Sequence, residues 1–181
     1  NKEVINASDI HKMHLSFGWD GIGYHKVVLR CGKVENGRPE YWHGAHVKGK
    51  NDISLGVCLI GKANFTNKQM TSLENILRKS IDFRLRSDVK IGISLSGGID
   101  SSTIASIIAD IKGESINDIY TFSSRSLDKN DEYEYVKEFK KKYKFKNIPI
   151  PLKFKNFKKD FLNIVKQHDY PISNLSIFSE W

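Results

Sequence analysis

The chain contains 181 residues, of which 39% are hydrophobic and 28% are charged, and its formal net charge is +8. This composition is typical of a soluble globular protein and excludes a disordered chain, a collagen-like repeat and a disulfide scaffold. No apolar run approaches the roughly 18–20 residues of a membrane-spanning helix, so the sequence also excludes an integral membrane protein.

The positive charge is densest over residues 137–159, where lysines are interleaved with tyrosine and phenylalanine. We interpret this segment as the solvated face of a helix or loop, so that nucleic acid is not an expected partner. The alternative is a binding module without catalysis, whose lysines attract nucleic acid or an anionic wall polymer.

Cys31 and Cys58 have no metal-ligand spacing, and both lie in strand-like segments. We predict free, buried thiols, which suit a reducing compartment, and we expect a cytoplasmic protein. Residues 1–9 are polar and do not resemble a signal peptide. Because the sequence lacks an initiating methionine and stops abruptly at Trp181, we expect a piece of a longer chain.

The first half is predicted to begin with a short helix and to contain two strands. Ser8 is expected to cap the helix, which continues through Phe17 and ends at Gly18. Strands are predicted over His25–Cys31 and Ile53–Ile60, the second apolar enough to be buried on both faces. Gly32-Lys33 and Asn36-Gly37 indicate turns between them.

A long helix follows these strands. Thr66 and Gln69 have the spacing of a capping box, and an apolar stripe of helical period continues to Arg86. From there strand and helix patterns alternate, which predicts an α/β domain with a parallel sheet covered by helices. The predicted strands are Val89–Leu95, Ile119–Ser123 and Ile148–Pro151, and the predicted helices are Ser101–Ile111, Glu132–Tyr143 and Phe157–Gln167.

The strongest chemical motif is Ser96–Ser102, which reads Ser-Gly-Gly-Ile-Asp-Ser-Ser and lies between a buried strand and a helix. Two glycines allow the backbone to approach an oxyanion, and N–H groups at a helix N-terminus favour phosphate. Asp100 could hold Mg²⁺ or position a hydroxyl, and hydroxyl donors come from Ser96, Ser101 and Ser102. The alternative is a Gly-Gly turn followed by a Ser/Asp helix cap. The GxxxxGK[ST] phosphate loop is absent.

This motif resembles the pyrophosphate loop of the ATP-pyrophosphatase superfamily, and the surrounding sequence is similar to asparagine synthetase. The segments on which this resemblance rests are Ile76–Ala109, Ile119–Phe139 and His168–Trp181. It implies a fold of the adenine nucleotide alpha hydrolase type and a synthetase that adenylates aspartate with ATP·Mg²⁺, releases pyrophosphate and amidates the adenylate.

The resemblance also implies roles for individual positions within the predicted domain of residues 78–181. Pyrophosphate would be bound by Ser96, Gly97, Gly98, Asp100, Ser101 and Ser102. Asp100 would also help to hold Mg²⁺. The backbone of Tyr120–Ser123, including Thr121, Phe122 and Ser123, would line the adenosine pocket. Asp131 and Glu132 match an acidic pair of the family, or alternatively form an acidic helix cap. Asp169 and Pro171 match a segment on the substrate side. A second acidic, glycine-rich motif of the family is expected beyond Trp181.

Residues 1–77 are similar to a different family, the zinc N-acetylmuramoyl-L-alanine amidases of phage-lysozyme type. The similarity is most specific at Gly23-Tyr24-His25, Gly44-Ala45-His46 and Gly56-Val57-Cys58. It implies a mixed α/β amidase domain that cleaves a peptidoglycan amide with a zinc-activated water. Tyr24 matches the catalytic tyrosine of that family.

The zinc ligands of the amidase family have no counterparts in this sequence. One lies upstream of Asn1 in the family, and the others follow the long helix, where the synthetase-like sequence begins. The histidines that remain are His25, His43 and His46. Of these, His25 and His46 match positions that are not ligands in the family, and we interpret them as hydrogen-bonded structural or substrate-groove histidines. Zn²⁺ is therefore expected only if the amidase part is completed elsewhere.

Two partial domains thus meet inside one helix, at about Leu73–Lys79, and we predict a chimeric chain. The leading hypothesis is the ATP-binding part of an asparagine synthetase-like ligase, with ATP and aspartate as small-molecule partners. The alternative is a peptidoglycan amidase part, and the chimera could be inactive in both reactions.

Overall fold

A computed structural model describes residues 5–125, 133–151 and 157–167. The chain divides into two compact units, Asn1–Lys79 (unit 1) and Ser80–Trp181 (unit 2). The division falls within one helix, and each unit is described by itself below. No helix in the described ranges combines the length and apolarity needed to cross a bilayer.

Unit 1 begins with helix α1, Ala7–Ser16, and its cap differs from the predicted one. Asn6, and not Ser8, is the N-cap, because the Asn6 side chain accepts hydrogen bonds from the backbone N–H groups of Ser8 and Asp9. The Asp9 carboxylate in turn accepts from the Asn6 N–H at 2.9 Å, which completes a capping box. The prediction of Ser8 as cap was wrong because Asn6 provides this reciprocal pair two residues earlier.

A three-stranded sheet follows α1, with strands β1 (Lys26–Val28), β2 (Val34–Asn36) and β3 (Val57–Leu59). β1 is central, antiparallel to β2 and parallel to β3. The strand predicted over Ile53–Ile60 is shorter than expected, and Ile53 and Leu55 are exposed rather than buried on two faces. β2 was not predicted, since it lies between two turn signals. One cluster of buried apolar side chains in the unit is formed by Ala7, Ile10, Ile22, Val27 and Leu29, and Val28 is also fully buried.

Helix α2, Asn67–Arg84, begins at the predicted capping box. The Gln69 N–H donates to Thr66 Oγ1 and the Thr66 N–H donates to Gln69 Oε1, each at 3.1 Å. The amide of Gln69 also donates to the carbonyls of Val28 and Ile60 at 3.2 and 2.9 Å. A fully buried glutamine thus joins the start of α2 to the sheet.

Unit 2 contains a three-stranded parallel sheet with strand order β4-β5-β6, so the predicted α/β fold with a parallel sheet is confirmed. Its strands are β4 (Gly92–Ser94), β5 (Tyr120–Arg125) and β6 (Lys146–Pro151). Its further helices are α3 (Ile99–Lys112), α4 (Tyr133–Lys142) and α5 (Phe157–Gln167), with a 3₁₀ turn over Gly113–Asp118. The buried side chains include Leu95, Ala105, Ile107, Ile108, Thr121, Ser123, Val136 and Ile164.

The two cysteines are both unpaired, but their burial differs from the prediction. Cys31 is exposed, because β1 ends at Val28 and Cys31 lies in the turn beyond it. Cys58 lies within β3 and is half-buried, and this burial raises the pKa of its thiol. The prediction of a buried thiol was therefore wrong for Cys31.

Candidate functional site

The loop between β4 and α3 contains the Ser-Gly-Gly motif. Leu95, the residue that follows β4, is fully buried, and the chain turns outward at Ser96. Gly97 has a φ of +91°, a region that residues with a Cβ rarely adopt. Gly98 returns to an extended conformation and is the N-cap of α3. The turn therefore requires glycine at Gly97 for conformational reasons.

The N-terminus of α3 has no side-chain cap hydrogen bond. The helical ladder begins with the N–H of Ser102, which donates to the Gly98 carbonyl at 3.1 Å. The N–H groups of Ile99, Asp100 and Ser101 precede that bond, so helix geometry gives them no partner within α3. Together with the helix dipole, such groups favour a bound anion.

Two serine hydroxyls of the loop contact each other. Ser96 Oγ and Ser101 Oγ are 3.0 Å apart, and the Gly98 N–H donates to Ser96 Oγ at 3.3 Å. Ser101 Oγ also lies 3.2 Å from the Gly98 carbonyl, to which it donates. The Asp100 side chain is exposed and Ser102 is half-buried. The structure thus brings these predicted residues together around one short loop.

The predicted residues of β5 lie beside the loop but differ in exposure. Thr121 and Ser123 are buried, and both accept hydrogen bonds from the amide of Asn147 on β6, at 3.0 and 2.9 Å. The Phe122 ring lies on the opposite face of the sheet and is 36% exposed. Asn147 was not identified from the sequence, where nothing distinguishes a single asparagine among lysines. The predicted Asp131, Glu132, Asp169 and Pro171 lie outside the described residues.

Two clefts in unit 2 lie away from this loop. One, of about 400 Å³, is lined by residues near the ends of α3 and α4, including Gly113 and Tyr143. The other, of about 280 Å³, is lined by residues that precede β4 and β5, including Val89 and Ile119. The loop, by contrast, follows the carboxyl end of β4, where ligands of open parallel sheets bind. The loop, and not either cleft, is therefore the candidate site.

In unit 1, Tyr24 lies in a segment that is held by histidines of α1. The N–H of Gly23 donates to His14 Nδ1 at 3.0 Å, and the N–H of Ile22 donates to His11 Nδ1 at 3.3 Å. The His14 ring is 5.8 Å from the Tyr24 ring and 4.6 Å from the Trp19 ring, measured between centroids. His11 and His14 were not predicted from the sequence, because their partners are backbone N–H groups that lie 11 and 9 residues further along the chain.

The buried His14 gives unit 1 a predicted pH dependence. Burial lowers the pKa of His14, and the positive charges of Arg38 and His11 lower it further, although a backbone hydrogen bond at Gly21 opposes them. Neutral His14 therefore stabilises the fold fully above the unfolded pKa of about 6.5, and this contribution is lost as pH falls through the lower folded pKa. We expect His14→Asn, which keeps an acceptor but does not titrate, to flatten the decline of stability below about pH 6.5.

Urea unfolding followed by tryptophan fluorescence at several pH values measures this effect, because Trp19 contacts His14. His43→Asn is the matched control, since the His43 side chain is exposed. Equal pH dependence in His14→Asn and the parent would contradict the assignment.

His25 and His46 are held by hydrogen bonds within unit 1. His25 is buried, with Nδ1 accepting from the Gly56 N–H at 2.9 Å and Nε2 lying 3.0 Å from the Trp42 carbonyl. His46 Nδ1 lies 3.3 Å from the Gly23 carbonyl, and its Nε2 lies 3.2 Å from Ser54 Oγ. Within the described ranges, no group of three or more His, Cys, Asp or Glu side chains could hold a metal ion. The donor set of these histidines does not fit a zinc site, because their ring nitrogens already have partners.

Comparison with known proteins gives two kinds of relative. The endolysin of Enterobacteria phage K11 is 40% identical over 83 residues, which cover 41% of this chain and 55% of that protein. The putative asparagine synthetase [glutamine-hydrolyzing] 2 of Methanocaldococcus jannaschii is 36% identical over 64 residues, 35% of this chain and 12% of that protein. Among solved structures, the N-acetylmuramoyl-L-alanine amidase LysC of Clostridium intestinale aligns with a TM-score of 0.42 and 34% identity, covering 44% of this chain and 55% of LysC.

The chain thus spans about half the length of the endolysin that it matches, and a smaller share of the synthetase. These relatives confirm the predicted combination of amidase-like and asparagine synthetase-like sequence in one chain. The family model of asparagine synthase matches residues 72–181, which is more than half of the sequence. The chain therefore belongs to the asparagine synthase family.

Proposed function

We propose that residues 78–181 form a nucleotide-binding domain of the asparagine synthase type, which binds ATP with Mg²⁺ at Ser96–Ser102. The observation that supports this most directly is the backbone of the loop, where Gly97 has a positive φ and the first turn of α3 lacks a side-chain cap. A helix N-terminus with available N–H groups stabilises the negative charge of phosphate.

The proposed roles follow the positions around the loop. The pyrophosphate moiety of ATP would be bound by Ser96, Gly97, Gly98, Ser101 and Ser102. Asp100 would help to hold Mg²⁺, which neutralises charge on the phosphate oxygens when it is bound. A single exposed carboxylate fits that role, because Mg²⁺ in nucleotide sites takes one or two carboxylates together with phosphates and water. The backbone of β5 would lie on the adenosine side.

The reaction implied by the family is amide formation driven by ATP. A carboxylate oxygen of aspartate attacks the α-phosphorus, and the bond from that phosphorus to the leaving pyrophosphate breaks. Ammonia then attacks the acyl carbon and gives up one proton to solvent, and AMP leaves with the electrons of the acyl–oxygen bond. The step that the loop of this chain supports is the binding of ATP and of the departing pyrophosphate.

A thermal-shift titration with ATP·Mg²⁺ tests the proposal. We expect the unfolding midpoint of the parent to rise with ligand concentration, because ATP binds only the folded loop. The rise should be much smaller in Asp100→Ala, which lacks the carboxylate, and unchanged in Asp88→Ala, another exposed aspartate of unit 2. A cooperative transition in the parent that does not respond to ATP would refute the proposal.

Peptidoglycan binding by unit 1 is a second candidate function. The solvent-exposed rings of Phe17 and Trp19 lie 6.2 Å apart, and both neighbour the His14 ring, which also neighbours Tyr24. Aromatic faces of this kind suit sugar and peptide ligands. Since both ring nitrogens of His25 and of His46 already have partners and do not fit a zinc site, we propose binding without zinc-dependent cleavage. The same titration with a soluble muropeptide in place of ATP distinguishes this function from the first.

A further inference from the structure

A chain of side-chain hydrogen bonds crosses the sheet of unit 2 beside the phosphate loop. Its centre is Asn147 on β6, whose Nδ2 donates to Ser123 Oγ at 2.9 Å and to Thr121 Oγ1 at 3.0 Å. Its Oδ1 accepts from the hydroxyl of Tyr133 on α4, at 3.3 Å. Thr121, Ser123 and Tyr133 are buried and Asn147 is half-buried, so these bonds are partly shielded from water.

The chain of bonds ends at the residue before the loop. Ser123 Oγ donates to the Leu95 carbonyl at 2.7 Å, and the Leu95 N–H donates to the Phe122 carbonyl at 2.7 Å. A hydroxyl has one proton, so donation to Leu95 leaves Ser123 Oγ as the acceptor for Asn147. Both backbone groups of Leu95 are therefore fixed to β5. The next residue is Ser96, where the turn to Gly97 begins.

On these contacts, and resting on the proposed ATP site, we propose that Asn147 is a positioning residue for the phosphate loop. Its N–H orients the Ser123 hydroxyl toward the Leu95 carbonyl, and that bond fixes the direction in which the chain enters the loop. Among the residues that the structure describes, Asn147 forms hydrogen bonds with Thr121, Ser123 and Tyr133 and with no residue of the loop, so its effect on ATP is indirect.

Two variants break this chain of hydrogen bonds at different residues. Ser123→Ala removes one oxygen, and Asn147→Leu replaces the amide by an apolar group of similar size. We expect each to weaken ATP binding about tenfold in calorimetric titration, the change equivalent to one hydrogen bond. Asn147→Leu should have no additional effect in the Ser123→Ala background, because the two residues act in one chain. Ser106→Ala is the control, since it removes a comparable hydroxyl-to-carbonyl bond, of 2.8 Å to Thr103, elsewhere in unit 2.

Hydrogen exchange without ATP provides a second readout. The amides of Gly97 and Gly98 should exchange faster in both variants than in the parent and the Ser106→Ala control, while exchange in the middle of α3 is unchanged. If Asn147→Leu fails to fold, the ATP affinity and the loop exchange rates of Ser123→Ala alone test the proposal. The proposal would be refuted if the effects of the two substitutions on ATP affinity were additive, or if the hydrogen-exchange rates of Gly97 and Gly98 did not change. If the parent itself binds no ATP, the proposed function fails, and the exchange rates alone decide whether Asn147 positions the loop.

Discussion

Gly97→Val is expected to lower the affinity of the chain for ATP by at least about tenfold, because its backbone conformation is closed to a β-branched residue. At a φ of +91°, valine would place its Cβ against its own backbone, at a cost of at least about 1–2 kcal/mol. The loop would relax toward a negative φ, and the N–H groups at the start of α3 would no longer converge on one anion. Isothermal titration with ATP·Mg²⁺ measures the loss.

The matched control is Gly113→Val, at the opposite end of α3. Gly113 also has a positive φ, of +53°, and its Cβ would meet open space. Both variants therefore introduce backbone strain into unit 2, but only Gly97→Val changes the phosphate loop. Equal ATP affinities in the two variants would show that strain in unit 2, and not loop geometry, determines binding.

Gln69→Leu is expected to reduce the free energy of unfolding of unit 1 by about 2–4 kcal/mol, because each buried polar group left unpaired costs about 1–3 kcal/mol. The amide of Gln69 satisfies the carbonyls of Val28 and Ile60, and its oxygen accepts the Thr66 N–H. The Val28 carbonyl also accepts the Ile60 N–H at 3.0 Å and keeps that partner. Leucine fills a similar volume, so the loss comes from the Ile60 carbonyl and the Thr66 N–H and not from a cavity. Urea unfolding monitored by tryptophan fluorescence gives the difference.

Asn75→Leu is the control for this substitution. It makes a similar change from amide to leucine in the same helix, at an exposed position. We expect its effect to stay within about 0.5 kcal/mol, as for surface substitutions in general. A similar small effect for Gln69→Leu would mean that water or rearranged backbone satisfies the Ile60 carbonyl and the Thr66 N–H.

The features that were predictable from the sequence are those encoded by neighbouring residues. The capping box at Thr66 and Gln69, the alternation of strand and helix, and the glycine turn after β4 each depend on contacts within a few residues. The long-range partners were not predictable. Asn147 and Ser123 are 24 residues apart, and Gln69 and Val28 are 41 apart, and no local pattern distinguishes such polar residues from surface ones.

Strand lengths were predicted less well, for a related reason. The apolar run Ile53–Ile60 indicates a strand, but its pairing with β1 is limited to Val57–Leu59. Sheet register decides how many residues pair, and register depends on the partner strand. Asn6 displaced the predicted cap because it stands three residues before Asp9, the spacing of a reciprocal capping box, whereas Ser8 directly precedes Asp9.

The outer edge of the second sheet limits how the protein can associate with copies of itself. Within the residues that the structure describes, β6 is an edge strand, and Pro149 and Pro151 are two residues apart within it. Since alternate residues of a strand direct their backbone nitrogens to the same side, both prolines remove donors from one side of β6, the side that does not pair with β5. An incoming strand would therefore find carbonyl acceptors there without the matching N–H groups. Replacing the two prolines would restore a complete hydrogen-bonding edge and, with it, a template for strand addition and aggregation.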